Sequence, residues 1–142
     1  MEGWVLVVEP NRPVRHAVVS VLEARGYYVA AAANSSEVGR QLRSFDCGVF
    51  SDHLPDGSAI SLAGWLLVQR RIRHAVFFGS SKDVDLRLRA SNLGTFVGSE
   101  QGLHHLERAI AESLSEGVAL AVGDVASGYL ASTPRSGLRR RP

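Results

Sequence analysis

Residues 51–57, Ser51-Asp52-His53-Leu54-Pro55-Asp56-Gly57, place a hydroxyl, an imidazole and two carboxylates in one loop, directly after the apolar run Cys47-Gly48-Val49-Phe50. Serine, aspartate and histidine are the residue types of a hydrolase triad. Neighbours on an extended turn point apart, however, and triads are assembled from separate loops in space. No catalytic residue is assigned on this basis. Leu54-Pro55-Asp56-Gly57 also has the composition of a tight turn, since proline presets one torsion and glycine permits a positive one. His104 and His105 are adjacent and not one helical turn apart, so they do not converge on a metal. Cys47, the single cysteine, excludes an internal disulfide, fits a reducing compartment and counts as a small apolar core residue.

The elements that must position this loop alternate from one end of the chain to the other. Trp4-Val5-Leu6-Val7-Val8 is continuously apolar, the signature of a strand buried on both faces. Asn11 can cap a following helix whose first turn accommodates Pro13; Val14, Ala17, Val18, Val21 and Leu22 recur at helical spacing until Gly26. Residues 27–32 form a second strand. Ser35 or Ser36 opens a helix to about Arg43, with Val38 and Leu42 facing inward. Strand three spans 47–51, and helix three runs over 59–70 on Ile60, Ala63, Leu66 and Leu67. Strand four covers 75–78, helix four 83–92 and a short strand five 95–97. Leu103, Leu106, Ile110 and Leu114 mark a last amphipathic helix. Five strand–helix units with short links imply an α/β domain, a doubly wound parallel sheet covered on both faces, over residues 1–115. Residues 116–142, rich in Gly, Ala, Ser and Pro, are expected to form a flexible tail, with 118–122 a candidate to dock back.

Ligands of such sheets bind beyond the carboxyl ends of the strands. That rule selects Glu9-Pro10-Asn11, Ser51-Asp52, Gly79-Ser80 and Gly98-Ser99. The segment around Pro55, with these strand ends, resembles a bacterial response-regulator receiver domain over about residues 4–115. The resemblance implies a five-stranded sheet of order 2-1-3-4-5. It also implies an acidic pair after strand one, a phosphoacceptor aspartate ending strand three four residues before the loop proline, a Ser or Thr after strand four, and a lysine after strand five. Such a set suits phosphoryl transfer: a hard divalent ion, a fixed cation and a hydroxyl neutralise the transferred group.

Against that pattern the chain is defective. Glu9 matches the first acid, but Pro10 has no side-chain oxygen for the second place. Counting back from Pro55 lands on Ser51 as the phosphoacceptor position, with Asp52 one place late; a loop shorter by one residue would bring Asp52 into the acceptor place, with Glu9 and Asp56 beside it in an acidic pocket. The switch positions fall on Gly79 or Ser80 and on Phe96, the aromatic of strand five. The single lysine, Lys82, follows strand four, and Gly98 or Ser99 stands at the lysine position.

The resemblance therefore implies a degenerate receiver that serves as a protein-interaction module in bacterial signalling, without a cofactor. The alternatives are a phosphorylatable receiver using Asp52, with Mg2+ held by Glu9 and Asp52, or a small flavodoxin-like enzyme or nucleotide binder. Against the last, no Gly-rich phosphate loop follows strand one. Helix four is apolar on two sides, Val84 with Leu88 and Leu86 with Ala90 and Leu93, although a helix on a sheet needs one stripe. Val84, Leu86, Leu88 and Phe96 are thus interface candidates on the helix 4–strand 5–helix 5 face, where the resemblance places a protein partner or a second copy; Arg87 and Arg89 flank it.

The chain has 16 basic and 14 acidic residues; without Arg135, Arg139, Arg140 and Arg141 the balance is 12 against 14, a body near −2 and a tail of +4. Nucleic-acid binding would rest on that tail alone and is not expected. The absence of a long apolar run and of a basic signal-type start leads to the expectation of a cytoplasmic protein without a membrane span.

Overall fold

Continuous apolar runs become strands here because both of their faces are covered. A computed structural model describes residues 3–80 and 82–127, with side chains as far as Ser115. Strands β1 (Trp4–Val8), β2 (Tyr28–Ala32), β3 (Phe45–Ser51), β4 (Ile72–Gly79) and β5 (Thr95–Gly98) alternate with helices α1 (Arg12–Ala24), α2 (Ser35–Val38), α3 (Ala59–Val68), α4 (Val84–Leu93) and α5 (Leu103–Ser127). All strands pair in parallel in the order β2-β1-β3-β4-β5, as expected. Successive residues of a strand point to opposite faces. Accordingly Leu6, Val8, Phe50 and Phe77 pack with Ala63, Leu66 and Ala90 of α3 and α4, while Val5, Val7, Val49 and Val97 pack with Val18, Leu22, Leu106 and Ile110 of α1 and α5.

Local chemistry sets the element ends. Asn11, Asn34, Ser58 and Asp83 each cap a helix by accepting a backbone N–H through the side chain. Helix α3 ends in a doubly bonded turn, Arg71 N–H to Leu66 C=O at 2.8 Å and Arg70 N–H to Leu67 C=O at 3.1 Å. Arg70 occupies the left-handed position of that turn, φ 59°, a place usually held by glycine.

Several expected boundaries are corrected. Helix α2 stops at Val38 and does not reach Arg43; Val38 is buried, but Leu42 is 96% exposed. After Gly39 the chain turns through short bonds, Arg40 N–H to Glu37 C=O and Gln41 N–H to Val38 C=O, and is then held by Arg71, whose guanidinium donates to the Gln41 and Arg43 carbonyls. Strands β3 and β4 begin earlier than expected, at Phe45 and Ile72, which pair with each other. Helix α5 continues to Ser127, carrying residues 118–122 on its backbone into the stretch read as tail. Residues 128–142, including the tail arginines, lie outside the described residues. Among the described residues no helix is long and apolar enough to cross a membrane.

Candidate functional site at the carboxyl ends of the strands

Strand β3 ends at Ser51, whose neighbour on β4 is Phe78, so Ser51 lies within the sheet and Asp52 just beyond it. Ser51 is buried, and its hydroxyl is among the groups that favour the charged Glu9 carboxylate. Asp52 is the first residue beyond the strand. Its side chain, 13% exposed, lies across the face of Gly79, where any Cβ would collide with it, and accepts the Ser80 N–H at 3.1 Å. Asp52 thus stands directly beyond the strand with its carboxylate at the strand end, while Ser51 is the buried last residue of β3 beside Glu9. The loop that follows closes in a tight turn, with Leu54 bridging to Gly57.

Glu9, at the end of β1, is half-buried. Burial holds its carboxyl above the usual range, and the Asp52 charge adds to this; the Asn11 N–H at 3.0 Å, the Ser51 hydroxyl and Arg15 oppose it. Arg15 itself donates to the Glu9 carbonyl at 2.8 Å. Pro10 is exposed and contributes no side-chain donor or acceptor. Asp56, expected in the acidic pocket, is directed to α2 instead. Its oxygens accept the Ser35 N–H at 2.9 Å and the Ser36 N–H and hydroxyl at 3.1 Å, and the Ser35 bond leads in holding its carboxyl below the usual range. The pocket is thus an acidic pair, Glu9 and Asp52.

The other positions are equally specific. Gly79 and Gly98 are paired neighbours on β4 and β5. Gly98 is buried, and the Glu100 carboxylate folds over it where a side chain at 98 would begin. A carboxylate therefore covers the end of β5, a feature the sequence signals only as an acid two residues past a glycine. Ser99 is exposed, and the Ser80 hydroxyl accepts the Lys82 N–H at 3.3 Å. Phe96 packs partly buried against the α3–α4 side of the core. His53 lies 3.7 Å from Asp52 and is exposed, while Ser51 is buried, so the three do not form a relay. Cys47 is fully buried, its thiol pushed up to about 12 by burial, and is unsuited to nucleophilic work.

The protein oxygens available to a hard cation here are few. Magnesium is commonly held by one or two carboxylates with water. Glu9 and Asp52 are the two carboxylates here, Pro10 adds no side-chain oxygen, Asp56 is bonded to α2, and among the described residues no third His, Cys, Asp or Glu joins them. On α4, Val84 and Leu88 are 53% and 60% exposed while Ala90 is buried and Leu86 and Leu93 are half-buried, so the outward stripe is Val84 and Leu88.

The sequence matches no family model, and no curated protein is similar to it. Solved structures are. The chain is similar to the receiver domain of the Francisella response regulator 1452 (TM-score 0.69, 14% identity, covering 81% of this chain and 98% of that one). It is similar to the non-phosphorylated HemR receiver domain from Leptospira biflexa (0.70, 24%, 79% and 94%). It also resembles NtrX from Brucella abortus (0.77, 16%), covering 93% of this chain but 32% of that longer protein. The order of the sheet, the alternation of its helices and these likenesses together show that the chain has the fold of a response-regulator receiver domain.

Proposed function

We propose that this chain is a receiver-fold signalling module that works by binding a protein partner or a second copy of itself, without an aspartyl phosphate setting its state. One observation carries this: the Glu100 carboxylate covers the end of β5, the place where the receiver resemblance requires a lysine. Phosphorylating Asp52 would add a dianion to a crevice that already holds Glu9 and Asp52 and has Glu100 at its edge, and burial already disfavours the Glu9 charge. Opposite charges must be fixed in place for such a group to be stable. The binding face is then α4–β5–α5, where Val84 and Leu88 stand in solvent beside Arg89. Val84 and Leu88, one turn apart and separate from the helix's inward stripe, form the exposed apolar pair that supports this reading.

A second reading, phosphorylation at Asp52, is favoured by the position of that side chain directly beyond β3 against Gly79. One titration separates the two. Amide NMR spectra of the full chain are recorded with magnesium, then with magnesium plus beryllofluoride, a mimic of a phosphoryl group on aspartate. The expected result is no specific response. Shifts at Glu9 and Asp52 that spread to Ser80 and Phe96 would instead establish a working phosphorylation switch.

A further inference from the structure

The opposite end of the sheet carries a different chemistry. Because Phe45 pairs with Ile72, the α2–β3 and α3–β4 connections meet at the amino ends of the strands and bring together Arg40, Arg43, Arg70, Arg71 and Arg73. The acid among them, Asp46, is engaged by the Trp4 N–H at 2.8 Å. Arg71 is spent on the Gln41 and Arg43 carbonyls, and Arg43 lies over the Trp4 ring, 3.4 Å from its centre. Arg40, Arg70 and Arg73 remain exposed and, among the described residues, enter none of the ion pairs. Arg70 and Arg73 rim a concavity of about 770 Å³ that Ser44 and Asp46 also line, with Leu67 and Val68 as its accessible apolar side chains and Phe45 and Ile72 buried behind them. Val68 is 78% exposed at this site.

We propose that this concavity is a docking site for an acidic segment of a partner protein that carries an apolar anchor residue. Guanidinium forks match carboxylates in a bidentate geometry, and exposed Val68 with half-buried Leu67 beside them offers contact to a side chain of leucine type. Single-stranded nucleic acid fits less well, because base binding needs free aromatic faces. The Trp4 ring already carries Tyr28 stacked at 5.1 Å and Arg43 above it. This surface stands apart from the acidic crevice and does not depend on what that crevice does.

The test is a selection of short random peptides displayed against the full chain, with counter-selection against R70G/R73T. Glycine suits the left-handed backbone at 70, and threonine suits an exposed strand position at 73. The variant is therefore expected to melt no lower than the parent, so that lost affinity reports on the surface. Recovered peptides are expected to place Asp or Glu around Leu, Ile or Phe, and to bind the variant about tenfold or more weakly. Arg73→Thr alone, which leaves the end of α3 untouched, is expected to cost about threefold. The proposal is overturned if no peptide is enriched, if the peptides lack acids, or if they bind parent and variants equally. It is also overturned if a poly-dT strand binds the parent more tightly than the peptides do and is weakened by the same substitutions.

Discussion

Glu9 sits where its charge is poorly tolerated, and the sign of its pH effect follows from that. Its folded-state pKa is raised above the ordinary value of 4.5, chiefly by burial and then by Asp52 against several hydrogen bonds. The folded state thus holds the proton more tightly than the unfolded chain. Its contribution to stability is present below that ordinary value and is lost as pH rises through the raised one. Glu9→Gln keeps an acceptor for the Asn11 N–H without a charge. The variant is expected to melt above the parent at neutral pH, and the difference should close as the pH falls below 4.5; thermal melts across that range check it. At this scale the sequence revealed the site's residue types and less of its geometry. Glu9 and the absent lysine were readable, because a strand-end rule needs only the strands. The placement of Ser51 inside the sheet and of Asp52 against Gly79 was not, since it depends on where β3 ends and how the two strand ends approach each other. Nor was Glu100 over Gly98, a contact made by a turn and not by a pattern.

Among the elements, α2 and the end of α3 are where the fold departs most from its sequence pattern, and both departures can be tested. Helix α2 is a single turn whose N–H groups are satisfied by Asn34 from its own chain segment and by Asp56 from across the sheet end. Asp56→Ala removes the second partner. Amide exchange at Ser35 and Ser36 is expected to rise about tenfold, with little change at α1 or α5. Because hydrogen bonding lowers the Asp56 pKa from 3.8, the parent's advantage holds above that value and is lost as pH falls through the lowered one. Arg70 makes the opposite case: a left-handed backbone costs an L-residue about 1–2 kcal/mol, while glycine gives part of this back through its greater unfolded-state freedom. Arg70→Gly is expected to stabilise the protein by about 1 kcal/mol, visible as a rise in Tm of about 4 °C. The five-strand order was legible because parallel strands read as unbroken apolar runs. The length of α2 was not, because residues 39–43 have acceptable helix formers after Gly39 and are drawn away by Arg71, a partner distant in sequence.

Taken as a whole, the molecule presents acids at one end of its sheet and arginines at the other, with an apolar helix face between α4 and solvent. These surfaces are separated by the length of the strands. From Arg73 to Gly79 on β4 the chain rises six residues at about 3.3 Å each, roughly 20 Å, and Val84 begins α4 beyond that end. Groups so far apart and without shared partners act independently, their effects adding within about 0.5 kcal/mol. If the proposed α4 face binds a partner or a second copy, replacing Val84 and Leu88 with serine is expected to weaken that association, read by sedimentation or pull-down, by about tenfold or more, since two apolar side chains would leave the contact. It should leave affinity for the selected acidic peptides unchanged. R70G/R73T should do the reverse, and the fourfold variant should show both losses at their separate sizes. Coupling well beyond 0.5 kcal/mol would mean that the sheet transmits a change between its ends. In that case the receiver fold would be acting as a switch driven by a partner at the arginine end, and not as a passive platform with two independent faces.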